Sequence, residues 1–257
     1  MMKNKSERLK RLKQYARGYA DFFLSLLFPN RCIFCMELHS PFADICPDCE
    51  KSLPWIDGAI CPYCGALQAD CTCSKHKGDY FDGVVAPLYY MDTVKSAIYR
   101  YKFGGERNNS RLLAYLMAET CKVRYANIQF DGVTCVPEYG SGRKREYKHS
   151  ELLAKLVAEH LNLPFYADML VKLYPTKHQR DCPEIVRRGN LCGVFDVNSA
   201  YNVENKTILL VDDIKTTGST LSECGKMLFL SGASGVYCLT AALGKDMKKQ
   251  KAIKKSD

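Results

Sequence analysis

The apolar positions of this chain change their spacing along its length, and the changes mark out its parts. Between residues 6 and 28, Leu9, Leu12, Tyr15, Tyr19, Phe22, Phe23, Leu26 and Leu27 recur near helical spacing with lysines and arginines between them, predicting an amphipathic helix that Pro29 stops. Such a helix can lie on a membrane surface, or more simply pack its apolar stripe on the domain that follows. From Tyr80 onward, short apolar runs alternate with helical patterns. Strands are expected over 83–91, 131–137, 170–173, 207–211 and 235–241. Helices are expected over 93–103, from 109 or 110 onward, and over 151–161. Alternation of this kind predicts an α/β fold, a mostly parallel sheet with helices on both faces.

The strand expected over 207–211 is the most informative. Ile208 to Val211 is an unbroken apolar run, which suits a strand buried on both faces. Asp212 and Asp213 follow at its carboxyl end, where ligands of open α/β sheets collect. Thr216, Thr217, Gly218, Ser219 and Thr220 then form a small hydroxyl-rich turn, and Leu221, Cys224 and Leu228 continue as one face of a helix. Such a turn, opening a helix, offers amides, hydroxyls and the helix dipole to a phosphate. With carboxylates beside it for ribose hydroxyls, the expected ligand is a sugar phosphate. The stretch resembles the 5-phosphoribosyl-1-pyrophosphate (PRPP) signature of type I phosphoribosyltransferases.

Fourteen cysteines change the picture at the other end, because eight of them fall between Cys32 and Cys73. They form the pairs Cys32/Cys35, Cys46/Cys49, Cys61/Cys64 and Cys71/Cys73. Eight thiolates suffice for two tetrahedral, closed structural zinc sites, and so short a stretch needs the folding energy that metal supplies. Pairing neighbouring knuckles gives one site from Cys32, Cys35, Cys46 and Cys49 and another from Cys61, Cys64, Cys71 and Cys73; an interleaved set is also open. His39 or His76 can stand in for a cysteine at one site. Trp55 is expected to pack under this module. The six dispersed cysteines sit among apolar neighbours and read as core.

The formal charge of +9 gathers at the ends: eight Lys/Arg in residues 1–31, six lysines in 245–257. That fits a polyanion such as nucleic acid, and equally a solvated surface. No apolar run reaches the roughly 20 residues of a membrane-spanning helix, and no secretory signal is evident, so a cytoplasmic location is expected. A glycine-bearing basic loop with Arg143, Lys144 and Arg145 follows the strand ending at Pro137 and suits a pyrophosphate. Arg187 and Asn190 share a helix face if that segment is helical, and Lys102 either reaches a phosphate or favourably ends its helix.

Zinc knuckles followed by a phosphoribosyltransferase-like domain resemble the competence-protein ComF family over nearly the whole chain. The similarity runs through Phe28-Pro29-x-Arg31-Cys32, Tyr101-Lys102-Phe103-x-Gly105, Val136-Pro137, Arg145-x-Tyr147, Ser150 to Ala154, Thr176-x-x-Gln179 and Arg187-x-x-Asn190-Leu191-x-Gly193-x-Phe195. The chain departs from the family at Glu146, Lys148 and His149, where the family has glycine and an amide pair. The implied organisation is a basic helix (1–29), a double zinc-binding module (30–78), a type I phosphoribosyltransferase-like domain (79–245) and a lysine-rich tail (246–257). The resemblance implies a protein of natural competence that handles incoming single-stranded DNA beside DNA-uptake machinery, with a PRPP site using magnesium. Alternatives are a working phosphoribosyltransferase with Asp212 and Asp213 as catalytic residues, and a PRPP-sensing regulator.

Overall fold

The structure is a computed structural model that describes residues 31–39, 43–71, 78–104, 109–138, 148–173 and 193–245. The helix expected over 6–28, His76, Cys73, the basic loop with Arg143, Lys144 and Arg145, the motif from Thr176 to Leu191 and the tail after Lys245 lie outside the described residues. Two compact units divide between Leu53 and Pro54, within the cysteine-rich stretch.

In the first unit, residues 31–38 form a knuckle closed by an antiparallel bridge between Arg31 and Leu38. The Cys32 amide donates to the Glu37 carbonyl and the Met36 amide to the Cys32 carbonyl, both at 2.9 Å. Helix α1 (Pro47–Ser52) begins with proline, whose missing N–H costs nothing there, and Cys46 caps it, its sulfur accepting from the Cys49 amide. Phe34, between the two cysteines of the knuckle, is buried.

The second unit opens with a knuckle of the same kind, bridged between Ile60 and Leu67. It continues into the α/β fold. The strands are β1 (Gly83–Val85), β2 (Leu88–Tyr89), β3 (Gly132–Cys135), β4 (Leu170–Lys172), β5 (Phe195–Val197), β6 (Thr207–Lys215) and β7 (Gly235–Leu243). The helices are α2 (Asp92–Phe103), α3 (Asn109–Arg124), α4 (His149–Leu161) and α5 (Ser219–Leu230). The main sheet runs β1-β7-β6-β3, with β2 also on β7, and every pair is parallel. Strands β4 and β5 form a separate antiparallel pair.

Side chains alternate between the faces of a strand, and β6 is buried on both. Ile208 and Leu210 join Val236, Cys238 and α5's Leu221, Cys224 and Leu228 in one core, while Leu209 and Val211 on the opposite face are equally inaccessible. Helices α3 and α4 pack on each other, with α4 against β3 and β6 and α3 against β1 and β7. The sheet is thus covered on both sides, as the unbroken apolar run predicts.

Two elements differ from expectation. The strand expected over 83–91 is two short strands, separated at Ala86-Pro87, where the Pro87 carbonyl accepts from the Ile56 amide. Proline has no N–H for a ladder, so the strand cannot run through it. Strand β6 extends past the acidic pair: Asp212 is in register with Thr240, Ile214 with Ala242 and Lys215 with Leu243. The aspartates are therefore held in the sheet, and the turn begins only after Lys215. Trp55 bridges to Leu88 of β2.

Candidate functional site

The first four cysteine sulfurs, of Cys32, Cys35, Cys46 and Cys49, lie within 4.8 Å of one another. Those of Cys61, Cys64 and Cys71 do the same in a second group. Cys35 and Cys46 sulfurs are 3.6 Å apart, and those of Cys64 and Cys71 are 3.7 Å apart. A tetrahedral ion with metal–sulfur bonds of ~2.3 Å requires sulfur–sulfur edges of about 3.8 Å, so both groups have the spacing of zinc–thiolate sites. The charges agree. Burial opposes ionisation of Cys32, yet the backbone N–H groups of Cys46, Cys35 and Phe34 bring its thiol down to about 7. Burial pushes Cys35 up, and burial with crowding by its neighbouring sulfurs pushes Cys49 up. A divalent cation removes that conflict. His39 is outside both groups, and both its ring nitrogens are buried with no hydrogen-bond partner among the described residues.

The acidic pair on β6 is bound into a wider polar network. Consecutive strand residues leave on opposite sides, so Asp212 and Asp213 reach different neighbours. Asp213 is 6% exposed and ion-pairs with Lys102, near the end of α2. Asp212 Oδ1 accepts from the Ser150 hydroxyl and from the Asp213 amide, each at 2.9 Å. Burial and the adjacent Asp213 carboxylate push Asp212 up to about 7. Burial works against the Lys102 ammonium, but Asp213, Asp212 and Glu138 together hold it above its ordinary range.

Glu138, three residues beyond β3, completes the arrangement. Its Oε1 accepts from the amides of His149 and Ser150, at 2.9 and 3.2 Å, satisfying two donors at the start of α4. Burial would raise its carboxyl, yet His149 and these amides keep it below its usual range. The Tyr101 hydroxyl donates to the His149 carbonyl at 2.7 Å, tying α2 to the same helix start.

The hydroxyl-rich turn follows directly. Gly218 has φ +82°, and its carbonyl accepts the first helical bond of α5, from the Ser222 amide. Its conformation suits glycine, and a Cβ there would sit 3.1 Å from Lys215 Cε. Thr217 and Ser219 hydroxyls lie 2.9 Å apart. The structure thus brings Asp212, Asp213, Thr217, Gly218 and Ser219 onto one strand–turn–helix. It adds Lys102, Glu138 and Ser150 from three other elements. Beside Glu138, a cleft of about 200 Å³ opens between the end of β3 and β4, with Lys148, Asp168 and Lys172 in its wall.

Sequence reasoning did not single out Glu138, and it named Ser150 only as the start of a family-like stretch, with no role at the acidic pair. The available signals were the first carboxylate after a strand end, and a serine directly before an expected helix. In the fold these roles are exchanged: Glu138 satisfies the helix start and the serine serves the acidic pair.

Comparison with known proteins bears on both parts of the chain. A family model described as a double zinc ribbon domain matches residues 23–77, the stretch that contains both sulfur groups. Competence protein F of Haemophilus influenzae is 28% identical over 78% of this chain and 91% of its own length. The DNA utilization protein YhgH of Escherichia coli is 26% identical over 85% of this chain and 100% of its own. Over most of its length the chain is thus similar to relatives named for competence and for DNA utilization. A solved adenine phosphoribosyltransferase overlaps with a TM-score of 0.37 at 14% identity, covering 63% of this chain and 80% of that one. The fold class rests on the parallel order β1-β7-β6-β3 with helices on both faces. A zinc ribbon followed in the chain by a parallel α/β unit agrees with the order of parts that the ComF resemblance implied. No helix among the described residues is long and apolar enough to cross a membrane.

Proposed function

We propose that this chain is a ComF-like cytoplasmic DNA-handling protein whose α/β unit binds PRPP or a related sugar phosphate. The observation that carries the reading is the continuous strand–turn–helix, with two carboxylates in the last residues of β6 and a left-handed glycine opening α5. Asp212 and Asp213 would face the ribose hydroxyls. Thr216, Thr217, Gly218, Ser219 and Thr220 would hold the 5′-phosphate, where amides and the helix dipole favour an anion. Arg143, Lys144 and Arg145 would contact the pyrophosphate. The donor set suits magnesium, a hard cation that takes oxygen ligands, and when bound it would offset pyrophosphate charge. The zinc ligands would be Cys32, Cys35, Cys46 and Cys49 at one structural site and Cys61, Cys64, Cys71 and Cys73 at the other. Single-stranded DNA would meet the basic segment of residues 1–29 and the lysine-rich tail from 246. The names of the relatives support a role in competence and DNA use.

The test is calorimetric titration of the full chain with PRPP and magnesium, with product analysis on the same sample. Saturable binding without release of pyrophosphate, lost in Asp213→Asn, is expected; no binding at millimolar PRPP refutes the sugar-phosphate site. In a parallel measurement, removal of residues 1–29 is expected to weaken salt-sensitive single-stranded DNA binding while Asp213→Asn does not. A second reading, an active phosphoribosyltransferase, would use the cleft beside Glu138 for an acceptor. It predicts that one nitrogenous base among those tried releases pyrophosphate from PRPP.

A further inference from the structure

Among the described residues, Lys102 reaches the acidic pair with a charge of the sign that a cation there would carry. It stands one residue before the end of α2, with about a quarter of its side chain exposed and its Nζ seated on Asp213 Oδ2. Asp213 is the carboxylate in ion-pair contact with the ammonium, while Asp212 and Glu138, held by the sheet and by the start of α4, favour its charge electrostatically. A lysine is a point charge on a four-carbon stem with several rotamers, and it can change partners without any change in the backbone.

This has a consequence if the site takes a sugar phosphate with a divalent cation, the reading on which the inference rests. The ammonium on Asp213 repels a second cation, while an incoming phosphate attracts the ammonium. We propose that Lys102 is a displaceable counter-ion: it guards Asp213 in the free protein and moves to a phosphate oxygen of the ligand when metal and sugar phosphate bind together. Metal alone then binds weakly, sugar phosphate alone binds weakly, and the two strengthen each other. Such reciprocity is the thermodynamic signature of one group shared between two partners. The exchange needs no chemistry, only the transfer of one ion pair to another.

The experiment titrates the full chain with manganese alone, followed by electron paramagnetic resonance, and with PRPP at zero and saturating manganese, followed by calorimetry. Wild type, Lys102→Met, Lys102→Arg and Asp213→Asn are compared after circular dichroism has checked folding. In Lys102→Met, manganese alone should bind about tenfold more tightly, PRPP about tenfold less tightly, and the coupling between them should fall towards one. Lys102→Arg should restore wild-type behaviour in both arms, and Asp213→Asn should abolish the manganese gain. Manganese binding that is unchanged or weaker in a folded Lys102→Met overturns the displaceable counter-ion and leaves Lys102 a clamp between α2 and β6. If Lys102→Met does not fold, Lys102→Arg decides: a longer, permanently charged group that still alternates must preserve coupling, and coupling lost there overturns the proposal. A wild type that binds no PRPP in any condition refutes the sugar-phosphate reading itself, whereas a wild type that binds PRPP with no coupling refutes only the role of Lys102.

Discussion

The two cysteine knuckles share a backbone turn and carry different residues at its left-handed position. In each, the residue after the second cysteine donates its amide to the carbonyl of the first: Met36 to Cys32 at 2.9 Å, Gly65 to Cys61 at 3.0 Å. Both residues have left-handed backbones, with φ +68° and +74°. The first knuckle carries a methionine in that conformation, so the turn alone does not demand glycine, although it costs a side chain about 1–2 kcal/mol. At Gly65 a Cβ would lie 2.2 Å from the Val84 carbonyl oxygen, inside β1. The second knuckle is pressed against the sheet and gives up its side chain to get there. Around it, Arg124 donates to the Gly58 and Ile56 carbonyls, and the Tyr89 hydroxyl accepts from the Leu67 amide and donates to Asp70. One motif has thus become the core of a small unit in one place and a structural part of an α/β fold in the other.

The comparison breaks most readily through the metal ligands. Cys64→Ser should lower the unfolding free energy of the α/β unit by roughly 4 kcal/mol or more, because a structural metal is lost from within it. Cys49→Ser should leave that transition within about 0.5 kcal/mol while releasing one equivalent of zinc. Denaturant titration with zinc analysis reads both, and equal losses would show that the two knuckles are not differently embedded. Next comes Gly65→Ala, expected to cost roughly 2–4 kcal/mol through the clash with Val84. Gly58→Ala, with φ +103° and nothing closer than 3.9 Å, should cost only the backbone strain.

A pH scan sharpens the same point. Asp212 has a folded value near 7, above its unfolded one, so its contribution to stability is full below about pH 4 and is lost as pH rises towards 7. Asp212→Asn removes that loss and should raise the melting temperature by roughly 5 °C at pH 8, with the gap closing by pH 4. This sensitivity should appear in the transition that Cys64→Ser lowers and be absent from one that Cys49→Ser alters. Among the changes expected to lower this transition, Tyr89→Phe should be modest, about 1–2 kcal/mol for a buried hydroxyl that bridges two groups of the second knuckle, read in the same titration.

Much of this was legible in the chain. Apolar runs located the buried strands, because a strand covered on both faces has no polar positions to interrupt it, as Ile208 to Val211 illustrate. Cysteine spacing located both sulfur groups, because ligand geometry is local. Two things were hidden. The extension of β6 through Asp212 and Asp213 depends on pairing with Thr240 to Leu243, which are distant in sequence, and carboxylates are poor strand formers by themselves. Lys102 and Ser150 lie in stretches that resemble the family, but they come from two other helices, and nothing local says that they meet these carboxylates. The close approach at Gly65 was equally invisible, since Met36 occupies the corresponding place in the other knuckle.

Asp70, from the end of the second knuckle, also accepts an ion pair from Lys245, just beyond β7, and Lys245 lies over the Tyr89 ring at 4.9 Å. Its neighbour Gly244 donates to the Lys215 carbonyl at 2.7 Å, at the foot of the hydroxyl-rich turn. The first and last described segments of the α/β unit are therefore buttoned together without a covalent link. Fraying at either end would have to undo the other, and the floor beneath the turn stays level only while that fastening holds.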